Sequence, residues 1–153
     1  MKDVRRAAGK YVPDDLIWSP GPASVGDSGV NMWKRHWLKH NGEFPEFTNP
    51  IEYVDAAMDF ASQTSSAGTL RVVEGIQGGR TKRIVWNRNG GLNDFGVATV
   101  NPDGSLGPIS TYFRLDRTIL ETRYGLSDIP GGKDVFEQYF DNAVSDLLNP
   151  VIK

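Results

Sequence analysis

Cysteine is absent from this chain of 153 residues. That excludes disulfides and thiolate metal sites and leaves the redox compartment open. Long apolar runs are absent too: nothing approaches the roughly 18 residues a membrane-crossing helix needs. The opening stretch MKDVRRAAGKYVPDD has no apolar segment of the kind a secretory signal carries, so export would need another route or a larger parent chain. Net charge is only −2 at pH 7, whereas nucleic-acid binders are more often basic. Histidine is scarce, with 2 in the whole chain.

Hydrophobic residues make up 39% of the chain, enough for one domain with a real core. Charge is unevenly placed. Arg71, Arg80, Lys82, Arg83 and Arg88 crowd one stretch against a single acid, Glu74, while the segment from Tyr124 to Lys153 is acidic. An electrostatic footprint is therefore expected to be local, on the patch from Arg71 to Arg88.

Residues 1–30 read as a linker or irregular arm, because WSPGPASVGDSG is rich in Pro, Gly and Ser. Residues 31–153 read as one compact domain. In VNMWKRHWLKH, Trp33, His36, Trp37 and His40 recur at helical spacing and share one face. NGEFPEF then breaks the helix. In TNPIEYVDAAMDFASQ, Asn49 is a good N-cap, Pro50 suits the first helical position and Glu52 completes a capping-box pattern. Tyr53, Ala57, Phe60 and Ala61 form its buried stripe, widened by Ile51, Val54 and Met58. TLRVVEG, KRIVWN, DFGVATV and ISTYFRL are short β-prone runs, with turn chemistry in NRNGG and NPDG. The tail KDVFEQYFDNAVSDLLNP is amphipathic and predicts a C-terminal helix that Pro150 ends. The expected fold is α+β: N-terminal helices packed on a twisted antiparallel four-stranded sheet, plus a C-terminal helix.

Both histidines fall on one helical face with Lys39 beside them. A metal site is disfavoured: Trp37 stands where zinc-binding helices place Glu, Lys39 repels cations, and two imidazoles need a third ligand. No metal or other cofactor is expected. Acid–base chemistry on RNA fits better. RNA carries its own nucleophile, the 2′-OH, so a base near neutrality, an acid for the 5′-oxygen and donors for the phosphorane charge suffice. His36 and His40 could supply the first two. Lys39, Lys82, Arg83 and the hydroxyls of Ser110, Thr111 and Tyr112 could supply the third. Strand alternation puts Thr111, Phe113 and Leu115 on one side and Ser110, Tyr112 and Arg114 on the other. Thr111 joins the site if the catalytic face is concave and partly apolar; otherwise Tyr112 and Arg114 are the working pair.

The stretch HWLKHNGEFPEFTNPIEYVDAAMDF, with H-x-x-K-H followed by E-Y-x-x-x-A-x-x-F, resembles the start of many bacterial polymorphic toxin tips. NDFGVATVNPDGSLGPISTYF resembles their closing hairpin, which ends in a T-x-F strand. The group is the barnase, EndoU, colicin and RelE-like ribonuclease superfamily. The resemblance covers about residues 33–115. It implies a C-terminal toxin domain of contact-dependent inhibition or another secreted effector, serving interbacterial competition in the target-cell cytoplasm. It further implies metal-independent cleavage of RNA, often tRNA, and neutralisation by a cognate immunity protein. Carried over by position, the helix-borne histidine falls on His36 or His40, the strand hydroxyl on Thr111 with Tyr112 beside it, and the phosphate-stabilising residue on Lys39, Lys82 or Arg83. Two other readings compete. A non-catalytic binding module would suit the acidic tail. An ADP-ribosyltransferase toxin would need a late E-x-E pattern, and Glu121 and Glu137 stand alone.

Overall fold

A computed structural model describes Trp18 and residues 29–65, 69–89 and 92–153. The rest of the expected arm, and the turn expected at Gly90 and Gly91, lie outside the described residues.

Helix α1 spans Gly29–His40 and runs into a 3₁₀ turn at Asn41–Glu43. Helix α2 spans Pro50–Ala61. Its start follows the local chemistry: the Asn49 side chain accepts from the Glu52 N–H at 3.0 Å, and Pro50 occupies the first turn. Glu52 reaches one residue further back than a reciprocal capping box would, accepting from the N–H and hydroxyl of Thr48 at 2.7 and 2.6 Å. Tyr53, Val54, Ala57, Met58, Phe60 and Ala61 are buried. Each large apolar side chain removed from water there contributes about 1.5–3 kcal/mol.

Strands β1 (Leu70–Gln77), β2 (Arg80–Asn89), β3 (Leu92–Val100) and β4 (Leu106–Arg114) form an antiparallel meander. Gly78 and Gly79 both have positive φ, +61° and +76°, which the tight β1–β2 turn requires. Beyond β4 come a short helix α3 (Arg117–Thr122), helix α4 (Val135–Ser145) and strand β5 (Leu148–Ile152). The sheet therefore has five strands, in the order β4-β3-β2-β1-β5.

Two parts of the expected architecture need correction. The sheet has five strands rather than four. The C-terminal helix stops at Ser145 instead of running to Pro150, and the chain returns as an edge strand on β1. Leu147 is buried where the chain leaves the helix, and Gly75 makes room for it: a Cβ at Gly75 would sit 2.7 Å from the Leu147 Cβ. Asn149 has a φ of 52°, and Pro150 disfavours helical backbone at the residue before it. The short helix α3, unexpected from the sequence, is capped by Asp116, which accepts from the Ile119 N–H at 3.1 Å.

Each sheet face carries a core. Helices α1 and α2 cover Val72, Val85, Ala98, Ile109 and Tyr112. Helices α3 and α4 cover Val73, Ile84, Trp86 and Phe95 on the other face. Residue Ser110 is a bulge, since Val97 pairs Thr111 while Ala98 pairs Ile109. Ile109 and Tyr112 thereby both face α1 and α2, and Thr111 turns to the opposite face. Trp18 is fully buried against the first core and bridges to Ile109 on the outer side of β4.

Candidate active site

The C-terminal half of α1 lies beside β4, the outer strand at that edge of the sheet. His40 stacks on Phe113, ring centroids 5.4 Å apart. A cleft of about 200 Å³ opens there, lined by His36, Lys39, His40, Glu43, Thr111 and Arg114, with Tyr124 and Tyr139 on the α3/α4 side. Phe113, Leu115, Ile119 and Leu120 give it an apolar floor. This is the concave, partly apolar face on which Thr111 had been conditional.

Hydrogen bonds orient both imidazoles. His36 Nδ1 lies 2.9 Å from the Met32 carbonyl oxygen. A carbonyl only accepts, so Nδ1 carries the hydrogen and Nε2 keeps its lone pair. His40 Nδ1 lies 2.6 Å from Glu43 Oε2 and donates to that carboxylate. Glu43 is fixed in turn, because its Oε1 accepts from the Arg114 backbone N–H at 2.8 Å. The two rings are 5.9 Å apart. Trp18 packs on His36 at 5.0 Å. Burial lowers the His36 pKa below its ordinary 6.5; His40 and Lys39 lower it further, and the Met32 hydrogen bond only partly offsets them. His36 is thus neutral at pH 7. Burial and the neighbouring Tyr124 push the Tyr139 phenol up to about 12, so it stays protonated.

The structure gathers His36, His40, Lys39, Thr111 and Arg114 around the cleft, and it places the other sequence candidates elsewhere. Tyr112 points into the opposite core, against Phe44, Tyr53 and Phe60. Burial and the nearby Asp94 raise its pKa. Arg83 ties α2 to the sheet: its guanidinium donates to the Ala61 carbonyl at 2.7 Å, to the Gln63 carbonyl, and to Glu74 at 2.5 Å. The Ala61 carbonyl ends helix α2, where the helix dipole favours a cation. Lys82 is outside the cleft, its Nζ 3.4 Å from Thr99 Oγ1. Arg114 lines the cleft but is committed. It donates to Asp94 at 2.5 Å, to Glu46 at 2.8 Å and to the Glu43 carbonyl at 2.9 Å, and it lies over the Phe44 ring.

The basic patch is largely neutralised as well. Arg71 pairs with Glu137 at 2.8 Å, Arg88 pairs with Asp134, and both guanidinium groups lie over the Trp86 ring. Helix α4 supplies Glu137 and its N-cap supplies Asp134. Arg83 is paired with Glu74, which leaves Arg80 and Lys82.

Sequence reasoning missed Glu43, Asp116, Tyr124 and Tyr139 as cleft residues. The signal for Glu43 was present in His40-Asn41-Gly42-Glu43, a spacing that a 3₁₀ turn closes. Among the described residues, no group of three or more His, Cys, Asp or Glu is placed to hold a metal ion. No family model matches the chain, and neither does a curated protein or a solved structure.

Proposed function

We propose that this chain is a metal-independent endoribonuclease of the bacterial toxin class. One observation carries the reading: two imidazoles, each with Nδ1 hydrogen-bonded and Nε2 without a partner among the described residues, share a small cleft with Lys39 and the hydroxyl-bearing Thr111. His36, held neutral by burial, takes the proton of a ribose 2′-OH on Nε2. The 2′-oxygen forms a bond to phosphorus as the bond to the 5′-oxygen breaks. His40 gives that oxygen a proton, and Glu43 stabilises the imidazolium that carries it. The products are a 2′,3′-cyclic phosphate and a 5′-hydroxyl. Lys39 and the Thr111 hydroxyl face the charge that gathers on the phosphorane.

In this reading the substrate is RNA, with tRNA the first to test, and the site of action is the cytoplasm of a target cell. A cognate immunity protein neutralises the domain by covering the cleft. The experiment is inducible expression in a bacterium, with growth and RNA integrity followed for wild type, His36→Ala and His40→Ala. Growth arrest with RNA fragmentation in wild type alone supports the proposal. Intact RNA in arrested wild-type cells, or full toxicity in both variants with normal thermal melts, removes it.

A further inference from the structure

Six basic residues lie on strands β1–β4: Arg71, Arg80, Lys82, Arg83, Arg88 and Arg114. Four are joined to carboxylates: Arg71 to Glu137, Arg83 to Glu74, Arg88 to Asp134, and Arg114 to Asp94 and Glu46. Arg80 and Lys82 have no carboxylate partner among the described residues. They stand two apart on β2, so they project from the same sheet face. They are close enough that Arg80, after burial, helps to lower the Lys82 pKa. Two like charges held together without an acid cost free energy that an anion would recover.

Their surroundings suit an oxyanion. Arg80 lines a hollow of about 460 Å³ at the rim of the sheet, with Thr81, Thr99 and Asn101 contributing polar groups. Lys82 Nζ reaches the Thr99 hydroxyl on its border. Gly107 keeps the rim tight, since a Cβ there would lie 2.9 Å from the Thr99 carbonyl oxygen.

Register relates this hollow to the cleft. Lys82 pairs with Thr99, and Thr111 pairs with Val97 two residues away on the same strand. Lys82 and Thr111 therefore project from one face of the sheet. They are separated by two strand spacings and two residues, or about 10–13 Å. That is too far for both to hold one phosphate, and it suits phosphates at different positions along one RNA strand.

We propose that Arg80 and Lys82 form a phosphate subsite for a nucleotide flanking the scissile bond, so that single-stranded RNA runs from the His36/His40 cleft along the sheet to the Arg80 rim. The inference rests on the ribonuclease reading and adds the direction of the strand and the residues that hold it.

The test is the salt dependence of binding. The probe is a short single-stranded 2′-O-methyl oligoribonucleotide, which lacks the nucleophile and cannot be cleaved by this route. Each phosphate neutralised on a single strand adds about 0.7 to the slope of log K against log salt. The double variant Arg80→Gln/Lys82→Gln should lower that slope by about 0.7 and weaken binding at low salt. Arg80→Glu should weaken it further. Arg88→Ala, which removes a guanidinium already committed to Asp134, should leave the slope unchanged. A double variant that melts like wild type and keeps the wild-type slope overturns the subsite. So does one that loses only an acidic protein partner. The two readings fail separately. Wild-type protein that cleaves RNA with a slope indifferent to Arg80 and Lys82 loses the subsite alone, whereas protein that neither binds nor cleaves any RNA loses both.

Discussion

Glu43→Gln tests the proton-transfer assignment with almost no change in shape. Glu43 bridges two donors: Oε1 accepts from the Arg114 N–H at 2.8 Å and Oε2 from His40 Nδ1 at 2.6 Å. A Gln amide has one accepting end and one donating end. The Arg114 N–H can only donate, so it takes the amide oxygen. The NH₂ group is left facing His40 Nδ1, which must then accept. The ring hydrogen moves to Nε2 and the ring is held neutral, because an imidazolium would set two donors against each other. A neutral imidazole releases its proton far less readily than an imidazolium, so general acid catalysis is lost. Such catalysis is worth about 10²–10⁴-fold in rate, and a wrong tautomer in a His–carboxylate pair of a hydrolase costs about 10⁴-fold. The fold exchanges one charge-assisted hydrogen bond for a neutral one, about 1 kcal/mol at a partly exposed position. kcat for RNA cleavage should therefore fall by about 10²–10⁴-fold with little change in melting temperature. Single-turnover cleavage, together with the ¹⁵N shifts of the His40 ring, reports both consequences. A Gln variant whose tautomer has flipped and whose kcat is unchanged would show that His40 transfers no proton.

The depressed pKa of His36 sets the sign of its pH effects. Its neutral form should persist below pH 6.5, so the acid limb of the rate profile should lie below 6.5, and Trp18→Ala should move that limb upward by exposing the ring. The stability tied to neutral His36 is fully present above pH 6.5 and is lost as pH falls through the lower folded value, which an NMR titration paired with melts at each pH would reveal. Tyr53→Phe removes the buried donor to the Tyr112 carbonyl and should cost about 1–3 kcal/mol in urea unfolding, with kcat unaltered. Phe140→Ala empties the α4 side of the second core and should cost about 3–5 kcal/mol. If the Phe140→Ala midpoint matched wild type, the packing of α4 against the sheet would be misread.

The legible parts of the fold were those written in local chemistry. Helix α2 announced itself through Asn49, Pro50 and the stripe from Tyr53 to Ala61, and the meander through short β-branched runs and glycine turns. Strand β5 was hidden because the apolar period of α4 carries on as far as Leu147. What stops the helix is a distant fit, Leu147 against the bare Cα of Gly75. The basic stretch misled for the same reason. Arg71 and Arg88 look free beside one acid in sequence, but their carboxylates come from α4 and its N-cap, 66 and 46 residues away in the chain. At the cleft, helical spacing was enough to put His36 and His40 on one face. The side taken by Thr111 depends on the Ser110 bulge and on how α1 sits at the β4 edge, and periodicity alone fixes neither.

The account turns on whether the 2′-hydroxyl is the nucleophile in this cleft. The direct measurement uses purified protein in EDTA with a labelled RNA and with the same RNA carrying a single 2′-deoxy substitution at the cleaved position, the product termini being read by mass spectrometry. The account predicts cleavage of the all-ribo substrate to a 2′,3′-cyclic phosphate and a 5′-hydroxyl, with the deoxy position resistant and His36→Ala inactive on both substrates. Cleavage at the deoxy position, or a 5′-phosphate product, would contradict it.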